Sequence, residues 1–177
     1  MVEALFDCAG RLFGLRFEAR PEVQAYHPDV RTYEVFDASG HSAGVFLHDN
    51  FARLTKRSGA WMSDFNFQSV NRGVARPVIV NNNNFAKGAP GEPTLLSFDD
   101  AQTLFHEFGH GLHGLLSRVG YHRLSGTQVL RDFVELPSQL FEHWLSQPEV
   151  LRQHARHWQT GEPIPMHLVE RLKAAER

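Results

Sequence analysis

Two histidines and a glutamate stand close together in the second half of the chain. His106 and His110 are four residues apart, and Glu107 directly follows the first of them. On an α-helix, positions four apart share one face, so both imidazoles can reach a single ion. Neutral imidazole is a good ligand for zinc, and a carboxylate beside the metal can take a proton from a water. The spacing therefore indicates metal-assisted hydrolysis.

The segment around these residues has the pattern of a helix. Ser97, followed three residues later by Asp100, predicts an N-terminal cap, and Leu and Phe then recur at helical spacing. Gly120 marks the C-terminal stop. We predict a helix over about residues 98–119. Three glycines inside it lower its helix propensity and are expected to let another backbone approach closely: Gly109, Gly111 and Gly114.

A zinc site needs a third protein ligand, and Glu135 is the candidate. Asp132 and Glu135 have the spacing of a capping box, and Pro137 is tolerated only in the first turn of a helix. We therefore predict a second helix that begins near residue 133 and runs to Pro148. Plain capping is the alternative role for Glu135, but two imidazoles that lack a third ligand favour the metal.

Three further residues are candidates for roles next to the ligands. Glu142 lies seven residues after Glu135 on the same helix face, so it could orient a metal-bound imidazole by accepting its other N–H. Asp132 is the rival for that role, with capping as its alternative. His113 lies three residues after His110, close to the metal face. A packed structural histidine is the favoured interpretation of His113, because the metal already has three protein ligands.

Longer stretches of the chain resemble one known family. Residues 105–115 (FHEFGHGLHGL), 124–127 (LSGT) and 132–139 (DFVELPSQ) are similar to the thimet oligopeptidase family of zinc peptidases, and most similar to its bacterial peptidyl-dipeptidase (dipeptidyl carboxypeptidase) branch. Shorter matches occur in family order in the first half: residues 27–31, 52–53, 56–61 and 91–96. The resemblance covers nearly the whole chain.

The resemblance implies an enzyme that hydrolyses peptide bonds in short peptides and releases dipeptides from the C-terminus. It implies one Zn²⁺ per chain, held by His106, His110 and Glu135, with Glu107 as the general base. Thermolysin-like aminopeptidases use similar ligands, but residues 132–139 fit them poorly.

Enzymes of this family are several times longer than this chain of 177 residues. They have a helical N-terminal region over a channel, and C-terminal helices with Tyr and His that bind substrate. We therefore expect the metal-bearing catalytic core of a larger peptidase, which would act with those missing N- and C-terminal regions. The alternative is a truncated core that binds zinc but does not cleave peptides alone. A third possibility is a helical interaction module in which both histidines simply pack, and it predicts no zinc binding.

Composition limits other functions. A hydrophobic content of 42% and a charged content of 21% are ordinary for a globular protein. The net charge of −2 gives no case for nucleic acid or an anionic membrane as a partner. Cys8 is the only cysteine, so no intrachain disulfide is possible. No stretch of 18 apolar residues occurs and the N-terminus lacks a signal-peptide pattern, so we expect a cytoplasmic protein.

The fold class predicted is α+β in a single domain, residues 1–177. Residues 1–96 should form a helix over residues 2–13 and then a small antiparallel or mixed sheet, and residues 97–177 should form zincin-type helices that carry the metal site. The predicted strands are residues 15–19, 32–36, 43–47, 60–70 and 77–81, the second and third as a hairpin. Residues 82–93, within which most of an Asn run lies, are predicted as a loop. Further helices are expected over residues 149–158 and 166–175. Residues 59–61 and 78–81 are candidates for a sheet edge that holds a substrate backbone.

Overall fold

The structure is a computed structural model, which describes residues 1–73 and 76–175. Helix α1 (Val2–Phe13) precedes five strands: β1 (Arg16–Ala19), β2 (Arg31–Phe36), β3 (Ser42–Phe51), β4 (Trp61–Asn66) and β5 (Val78–Phe85). Helices follow: α2 (Phe98–Leu115), α3 (Arg131–Val134), α4 (Leu136–Leu145), α5 (Pro148–His154) and α6 (Met166–Ala175). The α+β prediction is confirmed. None of the described helices is long and apolar enough to cross a membrane.

The five strands form one mixed sheet in the order β1-β2-β3-β5-β4. Strands β3 and β5 are parallel, and the other neighbours are antiparallel, including the predicted β2–β3 hairpin. Because β5 is paired on both sides, residues 78–81 are not a free sheet edge, and that prediction was wrong. Strand β4 is an edge strand, and residues 59–61 lead into it.

The asparagine run lies inside β5 and not in the predicted loop. Asn81, Asn82 and Asn83 are buried, and the Asn83 amide donates to Asn50 Oδ1 at 2.9 Å. The loop prediction was wrong for residues 82–85, because the central position in the sheet gives this strand pairing partners on both sides, which outweighs the low strand propensity of Asn. Residues 86–93 form no helix or strand, as predicted. Strand β4 is shorter than predicted: it ends at Asn66, and Val70–Arg72 forms a 3₁₀ turn.

Helix α2 packs against the sheet on one side and against α4 on the other. Phe108 fills the space between them, since its ring centroid lies 5.3 Å from that of Phe46 in β3 and 5.5 Å from that of Phe141 in α4. The predicted cap is confirmed: Ser97 Oγ accepts from the Asp100 N–H at 3.0 Å, and the Asp100 carboxylate accepts from the Ser97 N–H at 3.0 Å. The helix that carries both histidines is therefore fixed at its start and along two faces.

Helix α2 ends at Leu115 and not near residue 119. Just after this end, the Ser117 hydroxyl donates to the His113 carbonyl at 2.9 Å and accepts from the Gly126 N–H at 2.6 Å. This pair of bonds holds the following loop against the last turn. No sequence pattern within the helix itself predicts such a long-range contact.

The second predicted helix is divided in two at Glu135, which ends α3 and precedes α4. Asp132 lies within α3, whose N-cap is Leu130, so the prediction that Asp132 caps the helix was wrong. Pro137 stands in the first turn of α4, as predicted. Helix α5 is also shorter than predicted and ends at His154. Glu135 therefore lies at a joint between helices, next to α2.

Candidate metal centre

Helix α2 presents both histidines on one face, one turn apart. The ring centroids of His106 and His110 are 4.9 Å apart, and the rings are nearly perpendicular. His110 is buried, and His106 is partly exposed. The helical spacing predicted from the sequence thus brings two imidazole nitrogens to one point.

Glu135 brings a carboxylate oxygen to the same point. Its Oε2 lies 3.2 Å from His106 Nε2 and 3.0 Å from His110 Nε2. Ser138 Oγ donates to this oxygen at 2.9 Å and so orients the carboxylate. Burial alone would raise the pKa of Glu135, but the Ser138 hydroxyl and the two histidines outweigh it, and the pKa is lowered. The carboxylate is therefore held in its ionised form, which is the form that binds a cation.

The three side chains fit a divalent cation such as zinc. One ligand atom from each of His106, His110 and Glu135 lies within 4.8 Å of the other two. Bonds of the usual zinc length in a tetrahedron place neighbouring ligand atoms about 3.3 Å apart, close to the separations between Glu135 Oε2 and the two nitrogens. Two imidazoles and one carboxylate also form a common donor set for catalytic zinc.

Glu107 lies beside this point. Its side chain is 6% exposed, and within the described part of the chain its Oε2 has no hydrogen-bond partner. Burial raises the pKa of Glu107 to about 7, the charge of His106 opposes this, and that of Glu135 adds to it. Glu107 lines an open cleft of about 480 Å³ together with His106, Glu142 and Ala60, among others. Glu107 thus borders a space that a water or a substrate can enter.

Glu142 reaches the ligands from α4. Its Oε1 lies 2.5 Å from His106 Nδ1, and its Oε2 accepts a hydrogen bond from the Gln102 amide at 2.8 Å. Metal-binding histidines usually donate their second ring N–H to such a carboxylate. The structure therefore places Glu142 where the sequence analysis expected it.

Comparison with known proteins agrees with this geometry. The whole chain, residues 1–177, matches the family model described as Peptidase family M3. The chain belongs to peptidase family M3.

Individual relatives show how the chain is related within this family. The dipeptidyl carboxypeptidase of Escherichia coli (strain K12) is 49% identical over 173 residues, which are 98% of this chain and 25% of that protein. Oligopeptidase A of the same strain is 40% identical over 178 residues, covering 99% of this chain and 26% of that protein. The thimet-like oligopeptidase of Dictyostelium discoideum is 36% identical over 182 residues, covering 99% and 27%. The chain thus spans about a quarter of the length of these curated relatives of the M3 family.

The two other predicted neighbours of the candidate ligands lie apart from them. Asp132 is exposed, and among residues 1–73 and 76–175 no hydrogen bond or ion pair joins its carboxylate to a ligand. His113 packs its ring against Phe133, with centroids 6.2 Å apart, and burial lowers its pKa. Its Nδ1 has no hydrogen-bond partner in the described part of the chain. The packed interpretation of His113 agrees with these contacts.

Sequence reasoning missed two residues around the candidate metal centre. Gln102 contacts Glu142, and Ser138 contacts Glu135. Gln102 stands four residues before His106, so the helical spacing that linked the histidines could have identified it. Ser138 lies three residues after Glu135, a helical neighbour. Ala60 was not missed, because it lies in the predicted edge segment 59–61, and it lines the cleft.

Proposed function

We propose that this chain is the metal-bearing catalytic core of a zinc-dependent peptidase, with one Zn²⁺ held by His106, His110 and Glu135. The observation that carries the proposal is the convergence of these ligand atoms within 4.8 Å, next to a buried glutamate, Glu107, that lines a cleft together with His106. When bound, zinc lowers the pKa of a bound water towards ~7 and polarises the scissile carbonyl. Membership in a family of peptidases supports hydrolysis of peptide bonds as the reaction.

Glu107 is the general base in this proposal. It directly follows a ligand, and it lines the cleft beside His106, which favours contact with a water held there. It accepts a proton from that water and then passes it to the leaving amine of the peptide. Ser138 and Glu142 hold the Glu135 and His106 side chains in place, which keeps the site fixed while the proton moves.

Short peptides are the proposed substrates, with dipeptides released from the C-terminus. The identity of 49% to a dipeptidyl carboxypeptidase supports this product, although the chain spans a quarter of that protein. Ala60 lines the cleft and directly precedes the edge strand β4. An extended peptide could add to this strand by backbone hydrogen bonds and so lie across the metal centre.

A core that binds zinc but does not cleave peptides alone is the second candidate. The observation that favours it is the short span of the chain relative to its relatives, 25% of the dipeptidyl carboxypeptidase. In addition, the Glu135 side chain is 48% exposed, so solvent reaches the ligands from this side. Exclusion of water strengthens the electrostatic interactions on which hydrolysis depends. Both candidates use the same ligands, and only an assay for cleavage separates them.

Zinc content and thermal unfolding test the proposal, measured on the wild type, on Glu135→Ala and on Glu22→Ala as an exposed control. We expect one zinc per wild-type chain, a higher melting temperature with zinc, and loss of both effects in Glu135→Ala only. One cooperative transition is expected if residues 1–177 form a single domain.

Cleavage of an internally quenched peptide then separates the enzyme from the inactive core. A wild type that takes up no zinc would overturn the proposal.

A further inference from the structure

Three side chains on two helices form a continuous hydrogen-bonded series that ends at the metal centre. The Gln102 amide in α2 donates to Glu142 Oε2 in α4 at 2.8 Å, and Glu142 Oε1 lies 2.5 Å from His106 Nδ1. Gln102 and His106 are one helical turn apart, so both meet Glu142 from the same face of α2. Each oxygen of the Glu142 carboxylate therefore has its own partner on α2.

The two histidines of the site differ in whether their Nδ1 atom has a hydrogen-bond partner. His106 Nδ1 is paired with Glu142, whereas His110 Nδ1 is buried and, across the described residues, has no hydrogen-bond partner. A proton on His106 Nδ1 leaves the lone pair on Nε2, the atom that faces Glu135. The His106 side chain is also more exposed than that of His110, 26% against 11%, so packing restrains it less and the contact with Glu142 matters more for its orientation.

We propose that Gln102 is a positioning residue that acts on His106 through Glu142. The Gln102 amide binds Glu142 Oε2 and so restricts rotation of the Glu142 carboxylate about its Cγ–Cδ bond. Glu142 Oε1 then remains directed at His106 Nδ1. Without this donor the carboxylate can rotate, and His106 loses its fixed tautomer and ring orientation. The inference rests on the proposed zinc site, and it assigns to that site a residue whose amide is bonded to Glu142 and not to a proposed ligand.

Gln102→Met tests this, because it removes the amide and keeps the length of the side chain. Zinc affinity is measured by competition with a chelator on the full chain, and the His106 Nδ1–H proton is followed by NMR in the zinc-loaded protein. We expect a several-fold loss of zinc affinity and faster solvent exchange of that proton. Loss of a residue next to the ligands typically costs 10–100-fold in affinity, so about that loss is expected for Glu142→Ala. Gln153→Met, an exposed glutamine in α5, is the matched control.

The double variant separates a positioning role from a general effect on folding. If Gln102 acts through Glu142, Gln102→Met causes no further loss of affinity in a Glu142→Ala background. An additive loss would overturn the inference, as would Gln102→Met with wild-type affinity and an unchanged Nδ1–H signal. Gln102→Ala repeats the measurement if Met disturbs the packing. Absence of zinc in the wild type would instead overturn the proposed function, so the two failures are distinguishable.

Discussion

Gly109 of α2 and Ser138 of α4 pack backbone against backbone. A Cβ atom added to Gly109 would lie 2.6 Å from the Ser138 Cα and 2.8 Å from the Pro137 carbonyl oxygen. Real Cβ atoms do not approach other atoms so closely, and a backbone, unlike the end of a flexible side chain, cannot move alone. The glycine thus lets α4 come close enough to α2 for Glu135 and Glu142 to reach the histidines.

Gly109→Ala is therefore expected to weaken zinc binding by tenfold or more. The clash moves α4 away from α2, and with it Ser138, which orients Glu135. Overpacking costs roughly 1–3 kcal/mol, and the higher helix propensity of Ala offsets about 1 kcal/mol of this. The net destabilisation is therefore about 0–2 kcal/mol, and zinc affinity is the sharper measurement. Gly120→Ala is the control, since a Cβ there would meet nothing within 4 Å. Equal zinc affinity in Gly109→Ala and the wild type would contradict the prediction.

Glu107→Gln should separate zinc binding from catalysis. Because the amide keeps the shape of the side chain, we expect zinc affinity within a few-fold of wild type. The amide cannot accept the proton from the water. In a form of the protein that cleaves peptides, hydrolysis should fall by about 10²–10⁴-fold. Zinc stoichiometry and cleavage of a quenched peptide measure the two effects, with exposed Glu92→Gln as the control. A variant that still cleaves at nearly the wild-type rate would remove Glu107 from its proposed role.

The parts of the site that the sequence could predict are those that depend on local spacing. His106 and His110 share a face because any helix places positions four apart together, and the Ser97–Asp100 pair marked where that helix starts. Glu135 was found because a metal site needs a third ligand and DFVELPSQ resembles a known family. The β2–β3 hairpin also followed from local pattern, with two β-rich runs around a turn.

The parts that the sequence could not predict depend on contacts between distant segments. The asparagine run became a strand because β3 and β4 pair with it from both sides, and neither partner is visible from Asn propensity. Helix α2 ends earlier than predicted, and beyond its end Ser117 accepts a hydrogen bond from Gly126 across a loop. The role of Gly109 emerged only when α4 was placed against it, since a close approach needs both backbones.

Lys56→Met should destabilise the sheet by roughly 2–4 kcal/mol. The Lys56 side chain is 4% exposed, and its ammonium donates to Asp49 Oδ1, to the Asp49 and Phe51 carbonyls at 3.1 Å each, and to the Asn83 carbonyl. The substitution leaves buried acceptors without this donor, although Arg53 still pairs with the Asp49 carboxylate. Denaturant unfolding with chelator present measures the change.

Lys87→Met is the matched control for Lys56→Met. Lys87 pairs with Asp29 at 2.5 Å, but its side chain is 57% exposed, and such surface pairs contribute about 0–1 kcal/mol. The two variants remove the same charge and differ mainly in burial. If both change the free energy of unfolding equally, the buried network around Asp49 is not what stabilises this part of the sheet.

His48 in β3 should make the protein less stable in mild acid. The side chain is 2% exposed, and in the described part of the structure its Nε2 has no hydrogen-bond partner. Burial lowers the pKa of His48 to about 4; Asp49 opposes this, whereas Arg31 and Lys56 add to it. The unfolded chain takes up the proton near the ordinary pKa of about 6.5, before the folded protein does. Stability is therefore fully present above about pH 6.5 and is lost as the pH falls towards 4.

The protonation of His48 should lower the free energy of unfolding by about 3 kcal/mol near pH 4, since each unit of pKa difference contributes about 1.4 kcal/mol. His48→Leu removes the titrating group, so its free energy of unfolding should fall less steeply between pH 6.5 and 4 than that of the wild type. Both proteins are unfolded with denaturant in chelator, so that the other histidines titrate alike in each and cancel in the difference. The slope is compared, and not the absolute stability, because Leu also changes the packing against Phe46, whose ring lies 5.4 Å from that of His48. If the free energy of unfolding falls equally steeply with pH in both proteins, the buried imidazole is not the group whose protonation opposes folding.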